Sequence, residues 1–408
     1  MALIDPQDKP VKPLPFPIYY WTVIGLALAG LVNSTYLAVS HYRVYTDIGY
    51  RSFCAISKAI NCDTVSQSPY SIILNIPVPV WGVIGYTLLI LFLIFASFKP
   101  LKCGRAWSLL VLIALIFSCI SIGLALILTT FINSYCIMCI LGYGISFALL
   151  YFTALTRKRF GTSGFFIGLR QDIYLLWQKR VKAAAIFLPF LIIVGVVMVI
   201  FPAYWNMTSG TDWADIPRGI TEDGHPWIGA ESPDLTIAEF SDYLCFQCKK
   251  MHYFLRQIVA QNPTKIRLIH YHFPMDHEVN FIVKEPFHIG AANMALAAIY
   301  ATSQDKFWEM NDLLFDMAGN EKEMNLEKLA ARTGLESERL ARAVNSQNMR
   351  QRLGFDIWTA LKRRMVGTPS YLIDGKVYQG QLPSEILKKV LNCGFGPAAG
   401  RRSGQRLG

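Results

Sequence analysis

Acidic side chains are nearly missing from the first half of this chain. Of the 28 aspartates and glutamates in its 408 residues, only Asp5, Asp8, Asp47, Asp63 and Asp172 precede Trp205. With long apolar runs around them, this excludes an ordinary soluble domain there, whose surface carries interspersed charge of both signs. Histidine is also sparse, seven in all. His252, His270, His272, His277 and His288 repeat no zinc-finger spacing with the cysteines, so no metal site is expected. No flavin motif is present either. The first apolar run lacks a small-residue cleavage pattern, which argues against a removed signal peptide, and residues 1–17 are unlike an Arg/Ser-rich transit peptide. The net charge of +11 does not point to nucleic acid, because much of it flanks apolar runs, where basic residues orient a membrane protein.

What is present is five runs of spanning length: about Ile18–Ser40, Pro79–Phe98, Trp107–Phe131, Cys136–Leu155 and Ala183–Pro202, near the roughly 20 residues that cross a bilayer. Basic residues gather at Lys9 and Lys12, at Lys99, Lys102 and Arg105, and from Arg157 to Lys182, where only Asp172 opposes them. These segments are expected on the cytoplasmic side, and loop 41–78 and hairpin 133–135 on the outer side. Five spans then deliver the polar second half to the outer face as well.

The cysteines acquire meaning from this arrangement. Cys54 and Cys62 lie in the first outer loop, Cys136 and Cys139 open the fourth run, and Cys245 and Cys248 follow a strand-like stretch, Asp234–Ser241. Two of these are Cys-x-x-Cys pairs at a helix start, where backbone N–H groups and the helix dipole favour a thiolate. Three pairs on one face, in an oxidising compartment, suggest electron transfer by thiol–disulfide exchange. Structural disulfides stapling the outer loops are the alternative, although an adjacent Cys-x-x-Cys closes too small a loop to stabilise much. Cys103, Cys119 and Cys393 have no evident partner.

Residues 18–155 resemble the vitamin K epoxide reductase family. The signature is Cys54-x7-Cys62-Asp63-x-Val65-x-x-Ser68-x-Tyr70, then Ile76-Pro77-x4-Gly82-x3-Tyr86, then Tyr135-Cys136-x-x-Cys139-x3-Tyr143. The resemblance implies a transmembrane four-helix bundle around a quinone of ubiquinone or menaquinone type, capped by the loop bearing Cys54 and Cys62. It also implies a relay in which that loop pair passes electrons to Cys136 and Cys139, with Cys139 reacting with the quinone. Ser68 matches the loop hydroxyl that helps hold the site. Tyr143, one turn beyond Cys139, can share its helix face and donate to a quinone oxygen, or it can serve as an interfacial anchor. Asn75 replaces the glycine that many bacterial relatives place before Ile-Pro, and asparagine tolerates left-handed geometry.

In the second half, a strand, a turn and Cys245-Phe246-Gln247-Cys248 at a helix start read as a thioredoxin-fold active site, with Cys245 the exposed thiolate and Cys248 the resolving thiol. Far downstream, Val366-Gly367-Thr368-Pro369-Ser370 reads as a loop, a proline and a strand. In that fold this proline is cis, and the backbone of Thr368 is exposed to pair with a substrate strand; an ordinary strand-start proline is the plainer reading. The long, mostly helical stretch from Glu285 to Leu361 and the sequence Phe240-Ser241-Asp242-Tyr243-x-Cys245-x-x-Cys248 resemble the DsbA-like branch. Strong oxidants of that branch often hold a histidine between the cysteines; Phe246-Gln247 stands there here.

The expected organisation is multi-domain. An all-α transmembrane four-helix domain occupies 1–160, and a cytoplasmic loop, a fifth transmembrane helix and a tether occupy 161–210. An α/β thioredoxin-like, DsbA-like domain with a helical insertion covers 211–393, and a disordered tail covers 394–408. The expected function is disulfide formation in reduced exported proteins at a bacterial inner membrane, with the thioredoxin-like domain on the periplasmic face, quinone and lipid as membrane partners, and no nucleic acid. A DsbD-like reductant relay and a non-enzymatic membrane-anchored chaperone are the alternatives.

Overall fold

The structure, a computed structural model, describes residues 14–56, 60–97, 106–161, 163–207, 215–317, 324–380, 382–383 and 385–386. Cys103, the basic residues 99–105, Cys393 and the segment 394–408 lie outside them. The described residues fall into two compact units: those within 1–44 and 51–203, and those within 45–50 and 204–408.

Among the described residues of the first unit, five helices are long and apolar enough to cross a membrane. They are α1 (Phe16–Thr46), α3 (Val78–Ser97), α4 (Trp107–Ile127, prolonged by a π-helical turn, Leu128–Ile132), α5 (Ile137–Phe160) and α7 (Arg180–Ile200). Four of them supply the buried core: Val23 and Ala27 from α1, Tyr86, Leu89 and Leu93 from α3, Trp107, Leu110 and Ala114 from α4, and Ile145 and Leu149 from α5. The fifth, α7, buries no residue. The expected five apolar helices are present, and Phe187 of α7 packs against the core of the other four. Small residues let α1 and α3 close up: a Cβ on Gly30 would fall 2.3 Å from the Tyr86 ring, and one on Gly82 would fall 2.5 Å from Ser34 Oγ.

Between the first two long helices the chain forms a short helix α2 (Cys62–Gln67) and a hairpin, β1 (Ile72–Ile73) and β2 (Ile76–Pro77). Leu74 and Asn75 turn the hairpin at φ 52° and 59°. Both central residues with positive φ make a two-residue primed turn, so Asn75 adopts the left-handed geometry that glycine would otherwise supply.

Segment 161–182, read from its charge as a loop, contains a helix, α6 (Phe165–Gln178). Its inward face is Gly168, Asp172 and Leu175, a three-to-four-residue spacing obscured in the sequence by surrounding basic residues. Asp172 explains the docking. Helix α4 begins without a side-chain cap of its own, and Asp172 carboxylate oxygens accept from Ala106 N at 2.6 Å and Leu109 N at 3.0 Å. The lone acid among basic residues thus caps another helix, where its charge also suits the N-terminal dipole.

The second unit is built on a sheet of order β3-β4-β6-β5-β7-β8 among the described residues, with β3 Arg218–Ile220, β4 Pro226–Gly229, β5 Leu235–Ser241, β6 Ile266–His272, β7 Ser370–Ile373 and β8 Lys376–Gln379. Strands β5 and β6 are parallel; their crossover is α8 (Phe246–Gln261). Strand β7 runs antiparallel to β5, opposing Phe240 to Ser370, which carries the downstream proline loop to the end of β5. Helices α9 (Ala291–Thr302), α10 (Phe307–Met317), α11 (Leu326–Thr333), α12 (Ser337–Val344) and α13 (Gln347–Lys362) fill the stretch between β6 and β7. This is the helical insertion expected from the sequence.

Replacing Asp172 with alanine should strip two N–H groups of their acceptor and cost about 1–2 kcal/mol, the upper range for losing a helix cap. A thermal melt of the detergent-solubilised protein checks this; an unchanged midpoint would show that Asp172 does not support α4.

Candidate active site

The first unit gathers its cysteines through backbone bonding. Asn61 caps α2, its Oδ1 accepting from Asp63 N at 3.0 Å and Thr64 N at 3.2 Å. Its own amide donates to Tyr135 O at 3.0 Å, beside a parallel bridge between Ile60 and Tyr135. The cysteine loop is thereby laid against the segment that starts α5. Asp63 Oδ2 accepts from Ser52 N at 3.2 Å, which holds the other arm of the loop. Cys54 and Cys62 form a disulfide with Cα atoms 5.7 Å apart. Cys54, Cys62 and Cys136 are at most 2 % exposed and form one buried cluster, with Cys139 packed against it. Cys136 is the N-cap of α5, and its sulfur accepts from Cys139 N at 3.3 Å.

Next to this cluster is a cavity of about 530 Å³. Cys62, Ser68, Cys136, Cys139 and Tyr143 all line it, between apolar side chains such as Phe117, Leu124 and Ile127. The volume falls within the roughly 300–1,000 Å³ of small-molecule sites, and an apolar wall with a few polar groups is their usual character. A flat, largely apolar ligand of quinone type fits this chemistry. Ser68 Oγ donates to Val65 O at 2.8 Å, so the hydroxyl holds the end of α2 as well as facing the cavity. Two polar wall residues received no role from the sequence. His41, fully buried, donates from Nε2 to Ser71 Oγ at 3.2 Å, and the Ser71 hydroxyl donates to Ser66 O at 2.8 Å. Asn33 donates to Met138 O at 3.1 Å, within the Cys-x-x-Cys turn. Both lie in α1 and line the cavity with Cys62, Cys136 and Cys139.

In the second unit, Cys245 is the N-cap of α8, half-buried, and Cys248 is buried one turn on. The Thr368–Pro369 bond is cis. The Thr368 carbonyl lies 3.6 Å from Cys245 Sγ, in position to accept from the thiol. The proline loop and the Cys-x-x-Cys turn thus meet, although more than 100 residues separate them. A hydrogen bond from Cys248 to the Cys245 sulfur is the main reason the Cys245 pKa falls to about 7. Burial first, and the facing sulfur second, hold Cys248 far above the ordinary thiol value.

Beneath this pair lies a buried polar network that sequence spacing did not reveal. Glu239 Oε1 accepts from His270 Nδ1 at 2.9 Å and faces His252 Nδ1 at 3.6 Å. His252 Nε2 reaches Asp312 Oδ1 at 2.8 Å, and Arg256 reaches Asp312 Oδ2 at 2.9 Å. Burial alone would raise the Glu239 pKa; hydrogen bonds from His252 and His270 outweigh it and bring it to about 2. Among the described residues no cluster of side chains suits a metal ion, and these histidines are taken up by carboxylates.

The geometry defines a chain with two dithiol centres: a helical, membrane-type domain with a buried sulfur cluster on a cavity wall, and a thioredoxin-like domain with an N-capping cysteine. Residues 21–154 match the model of the vitamin K epoxide reductase family, and residues 221–392 match a thioredoxin family model. The chain therefore joins a vitamin K epoxide reductase family domain to a thioredoxin-like domain. Among curated proteins it is similar to the Na(+)/H(+) antiporter NhaA 3 of Salinispora tropica, 25 % identical over 178 residues, which is 44 % of this chain and 26 % of that protein. It is also similar to the Na(+)/H(+) antiporter NhaA of Herminiimonas arsenicoxydans, 24 % identical over 45 % of this chain and 28 % of that protein. The match thus spans about a quarter of the length of these relatives. Solved structures that resemble it include a thioredoxin-like oxidoreductase from Silicibacter pomeroyi (22 % identity, 42 % of this chain and 92 % of that one, TM-score 0.34). BdbD from Bacillus subtilis is another (20 % identity, 44 % and 98 %, TM-score 0.34).

Alkylation of reduced Cys245 should accelerate with pH and level off with a midpoint at about 7, while Cys248 stays unreactive. Peptide-resolved mass spectrometry checks this; equal labelling of both cysteines, or a midpoint near the ordinary thiol value of about 8.5, would contradict the activated-thiolate assignment.

Proposed function

We propose that this protein is a membrane thiol–disulfide oxidoreductase that forms disulfides in exported proteins and discharges the electrons to a quinone. The observation that carries the reading is the cavity wall, where Cys62, Cys136, Cys139, Ser68 and Tyr143 stand together beside an apolar interior.

A reduced client dithiol exchanges with the Cys245–Cys248 disulfide: a client thiolate attacks the Cys245 sulfur, Cys248 leaves, and the second client thiol releases Cys245 as the client disulfide closes. The reduced pair then attacks the Cys54–Cys62 disulfide, with Cys54 as the entry sulfur. The Cys62 thiolate then attacks Cys136 of the oxidised Cys136–Cys139 disulfide, Cys139 leaves, and Cys54 displaces Cys136 from Cys62, so that the Cys54–Cys62 disulfide re-forms and Cys136 and Cys139 carry the electron pair. A bound quinone would accept two electrons and two protons, and Cys139, the more accessible of the pair on the cavity wall, is the exit. Tyr143 would donate a hydrogen bond to a quinone oxygen, and Ser68 would hold the loop over the cavity. Every step conserves electrons: two leave the client as its disulfide forms, and two reach the acceptor. Covalent exchange between sulfurs needs neither metal nor flavin. Carrying both centres in one chain makes the step between them intramolecular, at an effective concentration in the mM range for a short flexible tether.

The client-facing surface is the groove between Cys245 and Thr368–Pro369, where an extended client segment would pair with exposed backbone. The reading places the thioredoxin-like domain and the loop cysteines at the outer, periplasmic face of a bacterial inner membrane, where disulfides persist.

An anaerobic assay with reduced client, purified protein and a ubiquinone or menaquinone analogue tests the scheme through quinol formation. Cys139→Ala should abolish turnover. Cys245→Ala should block client oxidation while leaving quinone reduction by dithiothreitol in place. Full quinone turnover in Cys139→Ala would refute the assigned electron exit.

A further inference from the structure

No histidine lies between Cys245 and Cys248, yet one reaches the active-site turn from the helical insertion. Asp242, 1 % exposed, directly follows β5, and its backbone carbonyl accepts from Cys245 N at 3.1 Å. Its carboxylate accepts from Leu244 N at 2.7 Å, Met275 N at 2.6 Å and His288 Nδ1 at 2.8 Å. A carboxylate taking three donors serves as an acceptor-only anion. It sits within one turn of the sulfur that must carry negative charge in the reduced state.

His288 is fixed in place. Ala291 N donates to its carbonyl at 3.0 Å, and the fully buried Asp276 takes Gly290 N at 2.9 Å and Ala292 N at 3.2 Å. The Phe287 ring stacks on the imidazole with centroids 4.0 Å apart. The side chain remains 20 % exposed, so it can exchange protons with solvent. The charged groups that act on it are Asp242 just after β5, Cys245 at the start of α8 and Asp276 after β6; His277 lies 3.6 Å from Asp276 on the far side. Burial disfavours the imidazolium, but Asp242 chiefly, then Cys245 and Asp276, outweigh it and raise the His288 pKa above that of an ordinary histidine.

We propose that His288 is the counter-charge that neutralises Asp242 beside Cys245 and so sets the reduction potential of the Cys245–Cys248 pair. This deepens the proposed function and rests on its assignment of that pair as a redox centre. The charge matters chiefly in the reduced state. On oxidation the Cys245 thiolate and the Cys248 thiol join in an S–S bond, the electron pair passes to the acceptor disulfide and the Cys248 proton is released, so the repulsion with Asp242 disappears. A cation at His288 therefore stabilises the reduced form more than the oxidised one. Stabilising the reduced form makes the disulfide a stronger oxidant. The position within the Cys-x-x-Cys dipeptide and the position at His288 are two routes for a positive charge to reach the same thiolate.

The test uses the full-length protein in detergent, equilibrated in glutathione redox buffers, with the Cys245–Cys248 peptide followed by differential alkylation and mass spectrometry. His288→Gln should shift the equilibrium about tenfold toward the disulfide, which is about 30 mV more reducing for a two-electron couple, and should raise the Cys245 midpoint. His288→Lys, which keeps a positive charge, should stay within a few-fold of the parent. A His288→Gln potential equal to the parent would overturn the inference, as would equal shifts in the glutamine and lysine variants, which would mark a packing role. A parent pair that fails to cycle at all would instead sink the redox assignment itself, and this inference with it; the readout involves no quinone, so the two failures are distinct.

Discussion

One backbone hydrogen bond, from Asn61 N to Tyr135 O, anchors the arrangement of the membrane-type domain. It joins a loop after the first long helix to the three-residue approach to the fourth. Those two places carry the two cysteine pairs. Asn61 also caps α2 with its side chain, so one residue both starts the helix that opens with Cys62 and ties that helix to the start of α5. The result is a cluster of sulfurs withdrawn from solvent. On the proposed reading, a disulfide packed beside a buried thiol is placed to exchange with that neighbour, since exchange depends on access as well as on thiolate character. The adjoining cavity gives the same sulfurs an apolar exit.

The thioredoxin-like domain meets the opposite requirement. On the proposed reading its first cysteine meets client thiols, and Cys245 is the more exposed member of its pair, activated by Cys248 and by its place at the start of α8. The buried carboxylates nearby would oppose a thiolate, and each is matched by a histidine: Glu239 by His252 and His270, Asp242 by His288. Unpaired buried charge is costly, so these pairings keep the sheet end folded while the turn above it changes charge during exchange.

Much of this was legible in the sequence. Five apolar runs gave five helices because lipid-spanning length and composition are local properties. The thioredoxin-like half announced itself through strand, turn and Cys-x-x-Cys in order, and the helical insertion through its length. Cys62, Cys136 and Cys139 line one cavity with Ser68 and Tyr143, which the family resemblance marked; Cys54 is disulfide-bonded to Cys62, and Cys245 and Cys248 share one turn. What escaped was long-range and polar. Helix α6 was hidden because its buried face is Gly168, Asp172 and Leu175, not a stripe of large apolar residues. Asp172 looked like an isolated charge because the N–H groups it caps lie over 60 residues away. His41 faces a serine 30 residues on, and His288 an aspartate 46 residues back. Nothing in local spacing distinguishes such histidines from ordinary core or surface residues.

The central claim is that the loop disulfide and the membrane Cys-x-x-Cys exchange directly. In Cys54→Ala/Cys139→Ala, Cys62 and Cys136 are the cysteines that remain in the buried cluster. Mild oxidation of that full-length variant, followed by non-reducing digestion and mass spectrometry, should yield a Cys62–Cys136 disulfide as the main cross-link. Two free thiols at these positions, or Cys62 joined predominantly elsewhere, would contradict the account.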